Sequence, residues 1–237
     1  MKKVFFIISI LSIGFANAQS QEVLAGDSIP WEIRKQAFIF NSATLFNDPI
    51  IARMALYNLL AENPSNVALY DSLAISYLQY NQSVSAALVA QQALKINPND
   101  QFALEIAATG FDQIGVKDKS LMYYEKLYLA NGGINMLYKI SFLQMELTRF
   151  AESNASLDII MGDPQSEVQT IRFPTTDGAG QEVSLKAAAS RVKAMILQEK
   201  GDVEGAKAKY LETLEIHPGF QIVQQQLREL TTPKAGE

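Results

Sequence analysis

The feature that most constrains this chain is a spacing of 34 residues that recurs along its first half. Small residues return at this interval at Ala52, Ala86 and Ser120. Residues that interrupt a helix return with them at Pro64, Pro98 and Gly132. A period of about 20 to 50 residues is typical of proteins in which each structural unit packs only against its neighbours. The spacing therefore predicts an array of similar units and not one closed core.

The stretch from Asn66 to Asp100 shows what is repeated. Its first half places apolar residues at helical intervals, at Tyr70, Leu73, Ala74 and Tyr77. Its second half does the same with small residues, at Ala86, Ala90 and Ala93, before Pro98. Apolar residues every three or four positions are the pattern of an amphipathic helix. Each unit is therefore predicted to be a helical hairpin in which small side chains face bulky ones.

This pattern resembles the tetratricopeptide repeat (TPR), a helix-turn-helix unit with the signature W-x2-L-G-x2-Y, then A-x3-F, then P. Tyr70 stands at the Trp position, Leu73 and Ala74 at Leu-Gly, and Tyr77 at Tyr. Ala86 and Ala90 stand at A-x3-F and Pro98 at Pro. The resemblance implies an all-α fold, an α-solenoid of about five stacked hairpins.

The predicted solenoid spans residues 31–232, with a short tail at 233–237. Its units are expected at 33–66, 67–100, 101–133, 134–166 and 187–220, and a capping helix at 219–230. The period breaks before the fifth unit, where residues 167–185 alternate apolar and polar side chains around Asp177-Gly178-Ala179-Gly180. That pattern predicts an inserted β-hairpin, and a disordered loop is the alternative.

The first 18 residues have the composition of a bacterial secretory signal peptide. Lys2 and Lys3 precede the apolar run 4–15, and Ala16-Asn17-Ala18 fits a cleavage site. The run is shorter than the ~20 residues of a spanning helix, although an uncleaved anchor is the alternative. We expect cleavage after Ala18, a linker at 19–30, and a periplasmic or secreted protein of a Gram-negative cell envelope that does not insert into the membrane.

Composition argues against several functional classes. The formal net charge is −5 and becomes more negative without Lys2 and Lys3, which argues against nucleic-acid binding. The absence of cysteine excludes a disulfide framework, a cysteine-based metal site and a lipidated cysteine. The one histidine, His217, precedes Pro218 at a predicted helix end, where the helix dipole favours a cationic ring and a structural position explains it. We expect no enzymatic activity, no cofactor and no metal site.

The resemblance implies a binding function, because repeats of this family hold partner segments on a concave surface lined by the first helix of each hairpin. Carrying those positions over gives an apolar strip of Ile75, Phe102, Tyr138, Phe142 and Met145, followed by Arg191. Carboxylates accompany the strip, at Asp71, Glu105, Asp112 and Glu146. Acidic groups favour basic partners, so a groove for an apolar segment carrying Lys or Arg is predicted.

Two alternatives stay open at this point. Several residues of the strip could pack between helices, which would leave the groove as ordinary surface. The protein could also be a glycan- or small-ligand-binding accessory of the outer membrane instead of a protein-binding scaffold or adaptor. The sequence predicts neither the identity of the partner nor the oligomeric state.

Overall fold

The computed structural model describes residues 29–175 and 178–231, which are mostly helical. Five helical hairpins follow one another in these ranges: α1 (Trp31–Leu45) with α2 (Pro49–Glu62), α3 (Val67–Gln79) with α4 (Ser83–Ile96), α5 (Gln101–Gln113) with α6 (Lys117–Asn131), α7 (Ile134–Glu146) with α8 (Phe150–Gly162), and α10 (Leu185–Glu199) with α11 (Val203–Ile216). Between the last two hairpins lie α9 (Gln165–Val168), β1 (Thr170–Phe173) and β2 (Gln181–Ser184), and α12 (Gln221–Thr231) ends the array. The predicted signal peptide 1–18, most of the linker 19–30 and the tail 233–237 lie outside the described residues.

The period is visible in the turns inside the hairpins. Each turn contains one residue with a left-handed backbone, and these are Asn47, Asn81, Gly115, Thr148 and Gly201. The residue after each of them donates its backbone N–H to a carbonyl five positions earlier, as Gln82 does to Tyr77 at 2.9 Å. Such bonds satisfy the last carbonyls of a helix, and glycine or asparagine supplies the left-handed residue at least cost.

Side chains also fix where several helices begin. Asp48 accepts a hydrogen bond from the backbone N–H of Ile51 at 3.1 Å, with Pro49 in the first helical position. Asp100 and Asp202 cap α5 and α11 in the same way, at 3.0 and 2.9 Å. A cap of this kind stabilises a helix by about 1 kcal/mol.

Small residues let the two helices of a hairpin approach closely. Ala74, Ala86 and Ala90 are fully buried between α3 and α4. The third and fourth hairpins carry serine at the position of Ala86, and the hydroxyl bonds to the facing helix: Ser120 Oγ donates to the Ala108 carbonyl at 2.9 Å, and Ser153 Oγ to the Ser141 carbonyl at 2.7 Å. A buried polar group costs little when it is hydrogen-bonded, so serine replaces alanine without disrupting the contact.

The interior is a series of neighbouring clusters. The largest is alanine-rich and joins α3 through α6, and a smaller one around Leu56 and Leu73 connects α2 to α3. Leu121, Ile140 and Leu143 lie between α6 and α7. Further clusters join α7, α8 and α10, and then α10, α11 and α12. This arrangement confirms the predicted all-α solenoid, and no helix in residues 29–175 or 178–231 is long and apolar enough to cross a membrane.

The insertion is an antiparallel β-hairpin, as predicted, and the loop alternative is wrong for its described residues. Thr170 pairs with Ser184 and Phe173 with Gln181. A two-stranded hairpin is marginal by itself, but this one packs against the end of the array. Val183 is fully buried in the cluster of α10 to α12, and the Phe173 ring lies 4.9 Å from that of Phe220.

Candidate partner-binding cleft

The array opens between its third and fourth hairpins into a cleft of about 440 Å³. Its lining side chains come from three helices: Gln101, Phe102 and Glu105 of α5, Tyr124, Leu127 and Asn131 of α6, and Met136 of α7. We call this site the α5–α7 cleft. Its volume falls within the range of about 300–1,000 Å³ that is usual for binding pockets.

The cleft coincides with the shortest connection between hairpins. Four residues separate α2 from α3 and α4 from α5, whereas only Gly132 and Gly133 separate α6 from α7. Both glycines have positive φ, 66° and 100°, which residues with a side chain rarely adopt. The first helices α3 and α5 pack on each other, while α5 and α7 make few direct contacts. At this short connection, α5, α6 and α7 leave space between them.

Ion pairs hold the same joint together beside the cleft. Lys139 Nζ of α7 lies 2.8 Å from Asp112 Oδ2 of α5, and Lys117 of α6 pairs with Glu146 of α7. Asp112 lies near the C-terminal end of α5, whereas the cleft is lined by the first turns of that helix. The joint is thus closed by polar contacts on one side and open on the other.

No protein-family model matches the chain, and no curated protein matches it. Solved structures do. YrrB, described as a TPR protein with an unusual peptide-binding site, shares 13% identity over 92% of this chain and 98% of its own, with a TM-score of 0.64. A TPR protein from Parabacteroides merdae shares 16% identity over 85% of this chain and 73% of its own, with a TM-score of 0.61. The chain has the tetratricopeptide-repeat fold. MamA is also similar, with 13% identity over 79% of this chain and 92% of its own and a TM-score of 0.58.

In this TPR array, two of the residues predicted for the groove line the α5–α7 cleft. Phe102 is 36% exposed and Glu105 is exposed beside it. Ile75, on α3, is half-buried against the core cluster of α3 to α6. Sequence reasoning missed the other lining residues, Gln101, Tyr124, Leu127, Asn131 and Met136. The adjacent Gly132 and Gly133, and the spacing of 33 instead of 34 residues between Ser120 and Ser153, were the signals that could have located them.

Three other predicted residues lie inside the TPR array. Tyr138, Phe142 and Met145 of α7 pack into the cluster that joins the fourth and fifth hairpins. Met145 is only 6% exposed, and burial raises the pKa of the Tyr138 phenol. For these residues the structure favours the alternative in which members of the strip pack between helices.

Arg191 lies beneath the inserted hairpin. Its guanidinium carbon is 5.7 Å from the centre of the Phe173 ring, and its Nε donates to Gln226 Oε1 at 2.8 Å. Burial lowers the pKa of Arg191, while the nearby Tyr138 and Tyr210 oppose that shift. Because β1 and α12 contribute these contacts, the surface of α10 around Arg191 is covered.

The predicted carboxylates divide into two pairs. Asp112 and Glu146 are engaged by lysines across the joint, as described above. Asp71 and Glu105 have no ion pair within the described part of the chain. Burial, and then the charge of Asp100, raise the pKa of Asp71 to about 7, and its Oδ1 is buried without a hydrogen bond. Glu105 is thus the exposed acidic group of the cleft, and Asp71 lies near the start of α5.

Proposed function

We propose that the protein is a non-enzymatic scaffold or adaptor of the bacterial cell envelope that holds a segment of a partner protein in the α5–α7 cleft. The observation that carries this proposal is the cleft itself, which brings the exposed Phe102 and the half-buried Met136 next to polar groups. Apolar surface with a few placed polar side chains is the usual composition of a binding site. The similarity of the fold to YrrB, described as peptide-binding, supports the same class of function.

The partner segment is expected to combine an apolar side chain with a Lys or Arg. The apolar side chain fits against Phe102 and Met136, since aromatic and methionine side chains adapt to varied apolar contacts. Glu105 has no cation of its own among residues 29–175 and 178–231 and favours a basic neighbour. Asn131 Nδ2 donates to Gln101 Oε1 at 3.2 Å, and this amide pair lines the cleft where it can bond the backbone of an extended segment.

Two observations bear on the competing functional classes, an enzyme and a glycan-binding protein. The single histidine has a structural position, because His217 Nε2 lies 3.2 Å from Gln181 Nε2 and its ring meets Phe220 edge-on. This supports a non-enzymatic function over one based on His217. The glycan-binding alternative has less support, because the only tryptophan, Trp31, lies on α1 and not at the cleft.

A peptide-display selection tests the cleft. Random peptides that bind the wild-type protein and fail to bind the Phe102→Ala/Met136→Ala variant should share an apolar residue followed or preceded by Lys or Arg. Leu129→Ala is the matched control, because Leu129 belongs to α6, is 85% exposed and does not line the cleft. A neutral or acidic consensus would contradict the predicted charge. Peptides that bind both proteins equally would show that binding occurs elsewhere.

Crosslinking in the native envelope then tests the adaptor function. A photoreactive residue at position 136 should link to one dominant protein, and the same residue at position 129 should not. The envelope location has its own measurement: the N-terminus of the protein purified from a Gram-negative host should begin at Gln19. A chain that still begins at Met1 and remains in the cytoplasm would refute the location while leaving the cleft untouched.

A further inference from the structure

The outer surface of α1 carries a line of exposed apolar side chains. Trp31, Phe38 and Leu45 follow one another at intervals of seven residues and are 65%, 72% and 79% exposed. We call these three residues the α1 stripe. Phe46 and Ile50, at 78% and 67%, extend it into the turn and the start of α2. Side chains at positions i, i+7 and i+14 lie on one face of a helix, so the stripe is continuous.

No inner hairpin exposes a large apolar side chain at the position of Phe38. The equivalent residues are Ser72 of α3 and Lys139 of α7, which are polar and partly exposed, and Ile106 of α5 and Val192 of α10, which are 3% and 0% exposed. Phe38 itself is 72% exposed within the described ranges. At the opposite end α12 covers the last hairpin. A contiguous exposed apolar surface of this kind marks an interaction site.

We propose that the α1 stripe is the interface of a homodimer, in which α1 packs antiparallel against α1 of a second copy. The stripe is symmetric about Phe38, with one large apolar residue seven positions to either side. An antiparallel pair with its two-fold axis at Phe38 brings the two Phe38 rings together and sets Trp31 of each copy against Leu45 of the other. The stripe is about 21 Å long, because a helix rises about 1.5 Å per residue. Such a self-complementary surface is what a two-fold dimer requires.

The charges of α1 favour the antiparallel orientation. Glu32, Arg34 and Lys35 all precede Phe38, whereas the exposed polar residues after it, Asn41 and Thr44, are uncharged. An antiparallel pair places each charged half beside an uncharged half. A parallel pair would place Arg34 and Lys35 beside their own copies, and like charges in contact are unfavourable.

The exposed area also fits a second copy. The stripe together with Phe46 and Ile50 exposes on the order of 700 Å² per copy, close to the ~800 Å² that each partner contributes to a stable interface. Once the leader is removed after Ala18, as proposed above, the chain's own linker is a weaker occupant. Residues 19–28 contain only Val23 and Leu24 as large apolar residues, too few to cover five large side chains.

Sedimentation analysis over a range of concentrations tests the proposal on the full chain, purified as its host processes it. The wild-type protein should be a dimer. Phe38→Glu should raise the dissociation constant at least about 100-fold, because it buries two carboxylates at the two-fold axis. Since Phe38 is largely exposed in the single chain, the variant should keep its helical content, and its Tm should not depend on protein concentration as that of the wild-type dimer does. Leu129→Glu, on an equally exposed residue of α6, should remain a dimer.

The absence of native cysteine permits a direct test of the geometry. Under mild oxidation Phe38→Cys should form a disulfide between copies. Leu45→Cys alone should form no disulfide, because the two copies of residue 45 would lie about 21 Å apart along the helices. The double variant Trp31→Cys/Leu45→Cys should form one, because residue 31 of each copy faces residue 45 of the other. A monomer at every concentration, a dimer insensitive to Phe38→Glu, or equal crosslinking of the two single cysteines would overturn the proposal. The α5–α7 cleft lies on other hairpins, so Phe38→Glu should leave peptide binding unchanged.

Discussion

Replacing Thr148 by glycine or asparagine should stabilise the protein. Thr148 occupies the left-handed position in the turn between α7 and α8, with φ of 58°. The other four hairpins have asparagine or glycine there. A left-handed backbone is uncommon for any residue with a side chain, and for a β-branched residue such as threonine it is an outlier. The fourth hairpin therefore carries strain that the others avoid.

The size of the expected gain in stability follows from comparing the folded and the unfolded chain. The left-handed conformation costs a residue such as threonine about 1–2 kcal/mol. Glycine removes that cost, but it also gives the unfolded chain more conformational freedom, which lowers the free energy of unfolding by about 0.4–1 kcal/mol. Thr148 is exposed and its hydroxyl forms no hydrogen bond within the described residues, so no contact is lost. A net gain of about 0.5–1 kcal/mol is expected, or a rise in Tm of roughly 2–4 °C per kcal/mol for a chain of this size.

Urea denaturation at fixed pH, together with scanning calorimetry, measures this gain. Ala155→Gly is the control, because Ala155 is exposed in the middle of α8 and glycine there should cost about 0.5–1 kcal/mol. The reverse substitution Gly115→Ala, at a φ of 76°, should also destabilise. If Thr148→Gly proved neutral or destabilising while both controls behaved as expected, the left-handed turn would not be a source of strain and the reasoning would fail.

Three further substitutions test separate parts of the structure. Asp71→Asn should remove a pH dependence of stability, because the pKa of Asp71 is raised in the fold to about 7. The fold thus favours the protonated carboxyl, and the stability that Asp71 contributes is fully present below about pH 4 and is lost as pH rises through 7. The variant should therefore gain more in Tm at pH 8 than at pH 5, and an equal gain at both would contradict the raised pKa. Gly110→Ala should cost about 1–3 kcal/mol, because the new Cβ would lie 3.1 Å from both Ala87 Cβ and the Ser83 carbonyl oxygen; Gly162→Ala, with nothing within 4 Å, is its control in the same denaturation assay. Val183→Ala should cost about 2 kcal/mol because the inserted hairpin belongs to the core, whereas Val168→Ala, at 81% exposure, should be neutral; equal effects on Tm would mean that the hairpin packs only loosely.

Features that depend on local sequence could be predicted. The 34-residue period gives the hairpins because each turn and each pair of helices is encoded within one unit, from Asn81 in the turn to Ala86 in the contact. The capping helix, expected at 219–230, lies at Gln221–Thr231 for the same reason, since its amphipathic pattern is complete within the segment. The inserted strands were predictable from their alternation around Gly178 and Gly180.

Features that depend on contacts between units could not be predicted. A position on the first helix of a hairpin does not show whether another element covers it, so Arg191 and Tyr138 were assigned to a groove on the same grounds as Phe102. Phe173 approaches Arg191 and Phe220 only because the insertion folds back onto the end of the array, and no periodic pattern encodes that. As a partner-binding set, these residues remain a prediction.

The lysines that engage Asp112 and Glu146 show why the sequence did not predict which carboxylates of the groove stay unpaired. They lie 27 and 29 residues away in sequence and belong to the neighbouring helices at the same joint. These ion pairs are partly exposed, and such pairs contribute only about 0.2–1 kcal/mol each. A partner segment in the cleft would contact α5, α6 and α7 together. Because a ligand stabilises the state to which it binds, such a segment would strengthen the contact between the third and fourth hairpins. The stability of this joint would then depend on what occupies the cleft.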